Sequence, residues 1–497
     1  MSKENFLNKI KYLPETTKQF GGLVLIILII SFSFFVLNIM FGGGDELVRK
    51  MKLEEERIAQ EKKLSELISK LPSGILVTFD GTDHFRLTDE VYEQVCKATK
   101  LIPQRAIMGA NFLNFRAHEI YTINGNKIDE TGAAVTPLHL TSTFRQPSFS
   151  STEKFVYSRT GGPTIDALEE NFAMLEDAKY SFAFASGMAA MSAIFLMFKP
   201  GDHVLISKNV YGGVFRLVTK VLNDNGVEFD FIDTTDLKVV KKSIKINTKL
   251  IHVETPSNPL LELADISSIS KICKTNKVLL SVDNTFMSPY GQKPLNLGAD
   301  IVMHSTTKYI GGHSDILSGA LMVNDKKSAE KITLIQNTAG ALPSPFDAWL
   351  LLRSVKTLSL RVEKHFSNAL KIANWLKNQK KVSRVIYPGL KNHPQHKIAK
   401  KQQRTPNGKI VFGGIISFEL DKSININKFS KKLNFITLAE SLGGVKTLIS
   451  CPYSMTHASV PKKDKEDLGI TENLLRLSVG IENVDDLISE LDLAINH

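Results

Sequence analysis

Cysteine is scarce in this sequence, which holds only Cys96, Cys273 and Cys451 among 497 residues. The three are not spaced as metal ligands or as a C-x-x-C pair, so we expect no disulfide framework and no bound metal. No internal repeat is visible, which excludes a repeat architecture. Hydrophobic residues make up 43% of the chain, ample for a large core. These features favour a globular protein of a reducing compartment.

The sequence also lacks a basic motif with interleaved aromatic residues, although its formal net charge is +11. Its lysines are spread over helical stretches and a few loops, such as Lys391–Gln403 and Pro461–Asp467. A nucleic-acid site concentrates basic side chains on one face. We therefore interpret the charge as a solvated surface and expect no nucleic-acid partner.

Charged residues are absent between Lys18 and Asp45, and Gly21–Phe41 is almost wholly aliphatic or aromatic. As a helix this run would span about 30 Å, the thickness of a bilayer core. It is longer than the apolar part of a signal peptide. The sequence predicts an N-terminal tail (1–20), a single transmembrane helix (21–41), and a charged helical stalk with an unassigned segment (42–116). We expect a membrane-anchored protein whose catalytic part faces the cytoplasm.

From about residue 117 onward, short apolar runs alternate with amphipathic helices. This alternation predicts an α/β fold with a mainly parallel sheet covered on both faces. A smaller α+β domain is expected after the helical pattern at Leu350–Ala369. The expected limits are an N-terminal arm (117–165), a large domain (166–355) and a small C-terminal domain (356–497). The predicted strands of the large domain are His203–Lys208, Phe229–Asp233, Leu250–Glu254, Val278–Val282, Ile301–His304 and Ala320–Val323.

The most informative residues stand where these strands end. Asp283 follows a buried apolar strand, and Ser305, Thr307 and Lys308 follow the next one. Ligands of such sheets bind at the carboxyl ends of the strands. A pyridoxal phosphate cofactor requires an amine for its aldehyde, a carboxylate for its ring nitrogen and donors for its phosphate. Lysine, aspartate and hydroxyl side chains supply all three.

Other strand ends carry complementary groups. Ser186, Gly187 and Met188 open a helix, where free N–H groups form an anion site. Tyr211 offers a ring that could stack on a flat heteroaromatic, and Asn258 lies in a turn bracketed by prolines. Each feature alone is more often structural than functional. Their occurrence in order along one predicted sheet edge favours a pyridoxal phosphate site.

At this point the sequence resembles the Cys/Met-metabolism family of pyridoxal-phosphate enzymes over about residues 120–495. The resemblance implies a fold-type I transferase, in which the large domain binds the cofactor. It does not reach residues 1–116. The motifs that carry it are Tyr157–Thr164, Ser186–Met188, Val282–Thr285, Ser305–Tyr309, Glu440–Gly444, Met455–His457 and Arg476–Gly480.

The resemblance implies roles for matching positions. Lys308 corresponds to the lysine that holds the cofactor and shuttles protons, Asp283 to the partner of the ring nitrogen, and Tyr211 to the stacking tyrosine. The phosphate cradle is expected from Ser186, Gly187, Met188, Ser305 and Thr307, with Tyr157 and Arg159 reaching it from a neighbouring subunit. The chain would then form dimers of active dimers. The substrate-binding positions implied are Asn258, Glu440, Ser441 and Arg476.

The activity implied is that of cystathionine γ-lyase, which releases cysteine, 2-oxobutyrate and ammonia from cystathionine. Cystathionine γ-synthase, cystathionine β-lyase and methionine γ-lyase are alternatives in that order. Gly213 disfavours the last, because methionine γ-lyases carry cysteine there. A membrane-tethered scaffold without activity is the alternative of another class; Lys308, Asp283 and Arg476, whose loss would mark it, are all present.

Overall fold

The structure, a computed structural model, describes residues 135–150, 153–456, 458 and 462–496. The side chains of Asp464 and Asp467 are not among the described atoms. The predicted tail, transmembrane helix (21–41) and stalk lie outside these residues, as does the start of the predicted arm. None of the helices in the described part combines the length and apolar character needed to cross a membrane.

A seven-stranded sheet forms the larger layer of the fold. Its strands in spatial order run β1-β7-β6-β5-β4-β2-β3. The block from β6 to β3 is parallel, whereas β7 runs antiparallel to both of its neighbours. The strands are β1 (Tyr180–Phe184), β2 (His203–Ser207), β3 (Glu228–Ile232), β4 (Thr248–Glu254), β5 (Leu279–Asp283), β6 (Ile301–His304) and β7 (Gly319–Val323).

The central strands of this sheet are buried on both faces, which is why they read as continuous apolar runs in the sequence. Every residue of β2 and β7 is buried. Capping residues fix several helix starts: Asp265, Asp325 and Ser344 each accept a hydrogen bond from a main-chain N–H of the first turn. The helices here are α1 (Pro163–Leu175), α2 (Gly187–Phe195), α3 (Gly212–Arg216), α4 (Leu237–Ser243), α5 (Ile266–Asn276), α6 (Ser288–Gly291), α7 (Lys326–Ala339), α8 (Pro345–Val355) and α9 (Leu358–Leu376).

A second sheet of five strands follows, in the order β10-β11-β12-β9-β8. It is antiparallel except for the β10–β11 pair. Its apolar face packs on α9 and the last helix around Phe418, Leu477 and Leu491. The elements are β8 (Val382–Ile386), α10 (His396–Gln402), β9 (Ile415–Leu420), α11 (Ile426–Ser430), β10 (Thr437–Leu438), β11 (Leu448–Ser450), α12 (Lys462–Asp467), β12 (Leu474–Ser478) and α13 (Val484–Asn496).

The expected α/β architecture is confirmed, with mixed rather than purely parallel sheets. Two predicted helices are interrupted. The sequence at Gly213–Asn225 has the apolar spacing of one amphipathic helix, but it divides into α3, a π-helical turn (Leu217–Val221) and a 3₁₀ turn (Asn223–Asn225). The pattern at Leu350–Ala369 divides between α8 and α9. The predicted domain limits stay a prediction.

Candidate active site

Two carboxyl groups lie side by side at the carboxyl edge of the large sheet. Strands β4 and β5 are parallel, and their last residues, Glu254 and Asp283, are direct register partners. Strand β6 ends beside them and leads into the segment that carries Lys308. The parallel order thus brings together groups that are far apart in the sequence, as the strand pattern predicted.

Asp283 has a single hydrogen-bonding neighbour among the described residues. Thr285 donates its main-chain N–H to the Asp283 carboxylate at 2.9 Å. Burial raises the pKa of Asp283, while Thr285, His304 and Lys308 act in the opposite direction. Thr285 also accepts a hydrogen bond from the Ser305 N–H at 2.9 Å, which ties the end of β5 to the start of the lysine segment. Asp283 therefore retains the capacity to accept a bond from a further cationic group.

Lys308 is half-buried and points toward the small sheet. Its Nζ donates to the Ser441 Oγ at 2.9 Å. Burial, followed by the neighbouring Arg476, lowers the pKa of Lys308 to about 8, and Glu440 and Asp283 partly oppose this. A lysine amine with this pKa is neutral far more often at physiological pH than an exposed one, so it can act as a nucleophile or a base.

Arg476 of β12 is only 2% exposed and bonds to two other site residues. Its Nη1 donates to the Asn258 Oδ1 and its Nη2 to the Ser441 carbonyl oxygen, both at 2.9 Å. Burial lowers the pKa of Arg476 to about 10, so the guanidinium stays charged at neutral pH. Ser441 adopts a positive φ of 81°, a conformation that non-glycine residues rarely hold without a constraint.

Arg476 Nε has no hydrogen-bond partner among the described residues, although it is buried. A buried N–H without an acceptor is costly, because the group has lost its water. A carboxylate placed against the guanidinium would supply the missing acceptor and suits its planar geometry. The arrangement therefore fits the carboxylate of an amino-acid ligand.

Glu254 is a functional candidate that sequence reasoning missed. It is 6% exposed, and its two carboxylate oxygens accept the main-chain N–H groups of Tyr211 (2.7 Å) and Asn258 (3.0 Å). Burial raises the pKa of Glu254 well above its ordinary value, and the adjacent Asp283 adds to the effect. The available signal was its position as the last residue of a predicted strand, since Asp283 directly follows the neighbouring predicted strand.

The start of α2 and the lysine segment are in close contact. Ser186 caps α2 by accepting the Ala189 N–H at 3.0 Å. A Cβ on Gly187 would lie 2.8 Å from the Ser305 Cβ, so only glycine allows this approach. The first N–H groups of α2 and the Ser305 hydroxyl thus share one small region, which fits an anionic phosphate.

The Tyr211 ring is exposed by 41% and lies beside Gly213. A Cβ on Gly213 would come within 2.5 Å of the Tyr211 ring and 2.9 Å of the Met188 Sδ. Glycine at 213 therefore leaves room for the ring in its present position. Met188, expected in the phosphate cradle, is the second residue of α2 and also lies near this ring.

Three of the expected cofactor residues make other contacts. The Thr307 hydroxyl donates to the Ser318 carbonyl at 3.1 Å and accepts the Ser318 N–H at 3.0 Å. Arg159 donates to the Asn337 carbonyl and lies over the Tyr157 ring, 5.6 Å from its centroid. Among the described residues no hydrogen bond joins Tyr157 or Arg159 to the groups around Lys308. The contacts of Arg159 in this chain are therefore with the end of α7 and with the Tyr157 ring.

Glu440 is exposed at the rim of this region, directly before Ser441. Its charge raises the pKa of both Lys308 and Arg476, which places it close enough to affect each of them. The residues around Lys308 fit pyridoxal phosphate: an amine, a carboxylate with spare acceptor capacity, a ring and a glycine-lined helix start. Next to them lies a buried guanidinium with an unmet donor.

Comparison with known proteins agrees with this geometry. The chain is 48% identical to cystathionine beta-lyase of Lactococcus lactis subsp. cremoris over 365 residues, which is 73% of this chain and 94% of that protein. It is 46% identical to cystathionine gamma-lyase of Bacillus subtilis over 369 residues, covering 74% and 96%. The crystal structure of cystathionine gamma-lyase from Lactobacillus plantarum complexed with L-serine matches with a TM-score of 0.72 and 43% identity, over 76% of this chain and 98% of that one.

These matches correct the expected localisation. The prediction of a membrane-anchored protein with its catalytic part facing the cytoplasm is wrong: no helix of the described residues is suited to span a membrane, and the two relatives match this chain over 94% and 96% of their own length. The prediction relied on the apolar length of one run. Hydropathy measures the free energy of transfer to lipid and does not by itself establish a spanning helix.

The model of the family described as Cys/Met metabolism PLP-dependent enzyme matches residues 120–496. The expected fold-type I architecture is confirmed by the solved structures. The cofactor is accordingly pyridoxal 5′-phosphate, and the alternative of a non-catalytic scaffold is not retained. The chain belongs to the Cys/Met-metabolism family of pyridoxal-phosphate enzymes and is a carbon–sulfur lyase or a γ-replacement enzyme of that family.

Proposed function

We propose that the chain is a cystathionine γ-lyase. The reaction consumes cystathionine and water, breaks the bond between sulfur and the γ-carbon, and yields cysteine, 2-oxobutyrate and ammonia. The observation that carries the proposal is the placement of an exposed Glu440 next to the Lys308–Ser441–Arg476 cluster. Cystathionine has a second ammonium group far from the reacting carbon, and a carboxylate at the rim is suited to bind it.

Lys308 is the residue that would hold the cofactor, with Asp283 at its ring nitrogen and Tyr211 against its ring. Ser186, Gly187, Met188, Ser305 and Thr307 would surround its phosphate. When bound, pyridoxal phosphate supplies an aldehyde that attaches to amines and a ring that withdraws electrons from the substrate α-carbon. Asp283 favours this withdrawal by keeping the ring nitrogen protonated.

Lys308 is also the proton carrier. With a pKa near 8, its amine is protonated and deprotonated at little cost around neutral pH, which suits transfer between neighbouring carbons. The Ser441 hydroxyl accepts from Nζ and so restrains its direction. Arg476 binds the substrate α-carboxylate through its free Nε–H and fixes the α-carbon beside the lysine.

Cystathionine β-lyase is the second candidate, favoured by the 48% identity to the Lactococcus enzyme of that name. Both lyases act on the same molecule and differ in which half of it is bound at Lys308. β-Elimination would give homocysteine, pyruvate and ammonia instead. Cystathionine γ-synthase would join cysteine to an O-activated homoserine, and methionine γ-lyase would cleave methionine.

Product analysis distinguishes these activities. The purified protein is supplied with pyridoxal phosphate and cystathionine, and the thiol and the 2-oxo acid are identified by mass spectrometry. We expect cysteine with 2-oxobutyrate. Homocysteine with pyruvate would instead show that the protein is a β-lyase. Turnover only with O-activated homoserine and cysteine would identify a γ-synthase.

We also propose that the active unit contains two chains, because no hydrogen bond among the described residues joins Tyr157 or Arg159 to the groups around Lys308 of their own chain. In a dimer they would serve the partner's phosphate site. Mixing inactive Lys308→Ala and Arg159→Ala subunits tests this: hybrid dimers contain one intact site, so activity should return to about a quarter of the wild-type value. Activity that stays at zero after subunit exchange would contradict the shared site.

A further inference from the structure

Glu254 occupies a position between two parts of the candidate site. Its Oε2 accepts the N–H of Tyr211, which directly precedes α3, and its Oε1 accepts the N–H of Asn258 in the turn after β4. Both N–H groups belong to loops rather than to the sheet. Because the side chain is almost fully buried, neither loop can exchange these bonds for water without opening the structure.

The contacts continue beyond Asn258. Its Oδ1 accepts from Arg476 Nη1, Arg476 Nη2 donates to the Ser441 carbonyl, and Lys308 Nζ donates to the Ser441 Oγ. One uninterrupted series of contacts therefore links the ring of Tyr211, through Glu254, to the guanidinium and to the lysine. The residues that would cover the cofactor ring and those that would bind the substrate carboxylate share Glu254 as their common support.

The acceptor character of Glu254 is essential to this arrangement. An amide would present an NH₂ group to one of the two main-chain N–H groups, and two donors cannot bond to each other. The cost of holding a carboxyl here is visible in its raised pKa, which burial and the adjacent Asp283 produce. A buried acidic group next to another carboxyl is destabilising, so stability alone does not explain its presence.

We propose that Glu254 is a positioning residue that couples cofactor binding to substrate binding, by fixing the Tyr211 loop and the Asn258 turn against each other. This inference rests on the proposed function only in taking Tyr211 as the ring-covering residue and Arg476 with Asn258 as the carboxylate site. It does not depend on which cystathionine enzyme the chain is. Glu254 does not contact the reacting atoms itself, and its effect is exerted through its two loop partners.

The test is Glu254→Gln, measured by binding rather than by turnover. Apoprotein is titrated with pyridoxal phosphate by fluorescence, and the loaded protein is titrated with glycine by the change in visible absorbance. Glycine has the amine and carboxylate of the substrate but no leaving group. We expect the dissociation constants of both ligands to increase about tenfold, the usual effect of one unmade buried hydrogen bond.

Two variants serve as references. Asn258→Ala removes the contact to Arg476 but leaves the Glu254 bond to Tyr211, so it should weaken glycine binding and not cofactor binding. Glu169→Gln replaces another carboxyl that accepts a main-chain N–H, that of Ala183 on β1, and should change neither constant. Glu254→Asp is the second test variant if Glu254→Gln does not fold. It keeps the carboxyl group but is too short to reach both N–H groups, and it should show the same paired loss.

Weaker binding of both pyridoxal phosphate and glycine in Glu254→Gln or Glu254→Asp supports the coupling of the two sites. If only glycine binding weakened, Glu254 would support the carboxylate site alone. If both dissociation constants stayed within twofold of the wild type, Glu254 would have no role in binding either ligand. Either result overturns the proposal. Wild-type protein that takes up no pyridoxal phosphate would instead refute the proposed function, and this inference with it.

Discussion

Two glutamates of this protein accept main-chain N–H groups at its large sheet, and they differ in what they support. Glu169 of α1 accepts the N–H of Ala183 at 2.8 Å and the Gln336 amide at 2.9 Å, while Gln336 donates to the Ala183 carbonyl. Glu169 and Gln336 together bond to both main-chain polar groups of Ala183, its N–H and its carbonyl, on the edge strand β1. Glu254 instead bonds to loops that carry candidate site residues.

Burial raises the pKa of both groups, so a perturbed pKa does not separate a structural carboxyl from a functional one. The groups to which each carboxyl bonds do separate the two kinds. Substitutions at the edge of the sheet around Lys308 should therefore change binding and turnover, whereas a substitution at the β1 edge should change stability alone.

The largest effect is expected for Lys308→Ala. Without the amine, the protein loses both its covalent hold on the cofactor and its proton carrier, so kcat should fall by roughly 10³-fold or more. Cofactor should also be lost on gel filtration, as followed by visible absorbance. Lys208→Ala, which removes an exposed partner of Asp233, is the control and should retain both properties. Residual activity above a tenth of wild type would refute the role of Lys308.

A slightly smaller effect is expected for Asp283→Asn. The neutral amide no longer keeps the ring nitrogen protonated, and kcat should fall by about 10²–10³-fold, typical of losing one electrostatic stabiliser. Steady-state kinetics with cystathionine measures it. Asp230→Asn on β3 removes a carboxylate that pairs with His203 and Lys245 and should leave kcat unchanged. Equal kinetics for the two variants would contradict the assignment.

Arg476→Lys should act mainly on binding. Lysine keeps the charge but cannot supply the planar set of donors, so we expect KM to rise roughly 30-fold with a lesser change in kcat. Arg384→Lys, at the exposed pair with Glu419, is the matched control. A KM that stays within twofold of wild type in Arg476→Lys would show that the substrate carboxylate binds elsewhere.

The smallest effect is expected for Glu169→Gln, and it concerns stability. The folded-state pKa of Glu169 is raised to about 7 from 4.5, so the folded protein binds more protons than the unfolded one between these values. The resulting destabilisation is absent below pH 4.5 and complete above pH 7. Glutamine removes it and keeps the acceptor, so the variant should gain on the order of 2 kcal/mol in unfolding free energy at pH 8.

Denaturant unfolding of Glu169→Gln at pH 5 and pH 8 measures this difference, with exposed Glu330→Gln as the control. The gain should be much smaller at pH 5, where wild-type Glu169 is largely protonated in the folded state. A gain of the same size at both pH values would show that charge is not its cause. Any change in cofactor affinity would break the distinction between the two glutamates.

Much of the site could be predicted because the candidate side chains lie at the ends of apolar runs in the sequence. Asp283 and Lys308 follow strands that are buried on both faces and are therefore easy to recognise in the sequence. Because these strands are parallel neighbours, the residues that follow them lie at the same edge of the sheet. Ser441 and Arg476 came only from the family resemblance, and so did the substrate-binding role of Asn258, which the strand pattern had placed at a sheet edge. Their proximity depends on how the small sheet positions β12, and no local sequence pattern indicates that arrangement.

Glu254 was missed for a related reason. It was recognised as the end of a strand, but its partner Tyr211 is 43 residues away, and the bond uses the main-chain N–H of Tyr211 rather than its side chain. Side-chain identity cannot reveal such a contact. Strand β8 was missed because its residues are only half-buried or exposed, so its sequence lacks a continuous apolar run.

Lys308 is the residue on which the cofactor site depends. The most direct measurement is borohydride reduction of the protein loaded with pyridoxal phosphate, followed by peptide mass spectrometry. We expect a single pyridoxyl group on the Lys308 side chain. Attachment to a different lysine, or recovery of an unmodified Lys308 peptide, would contradict it.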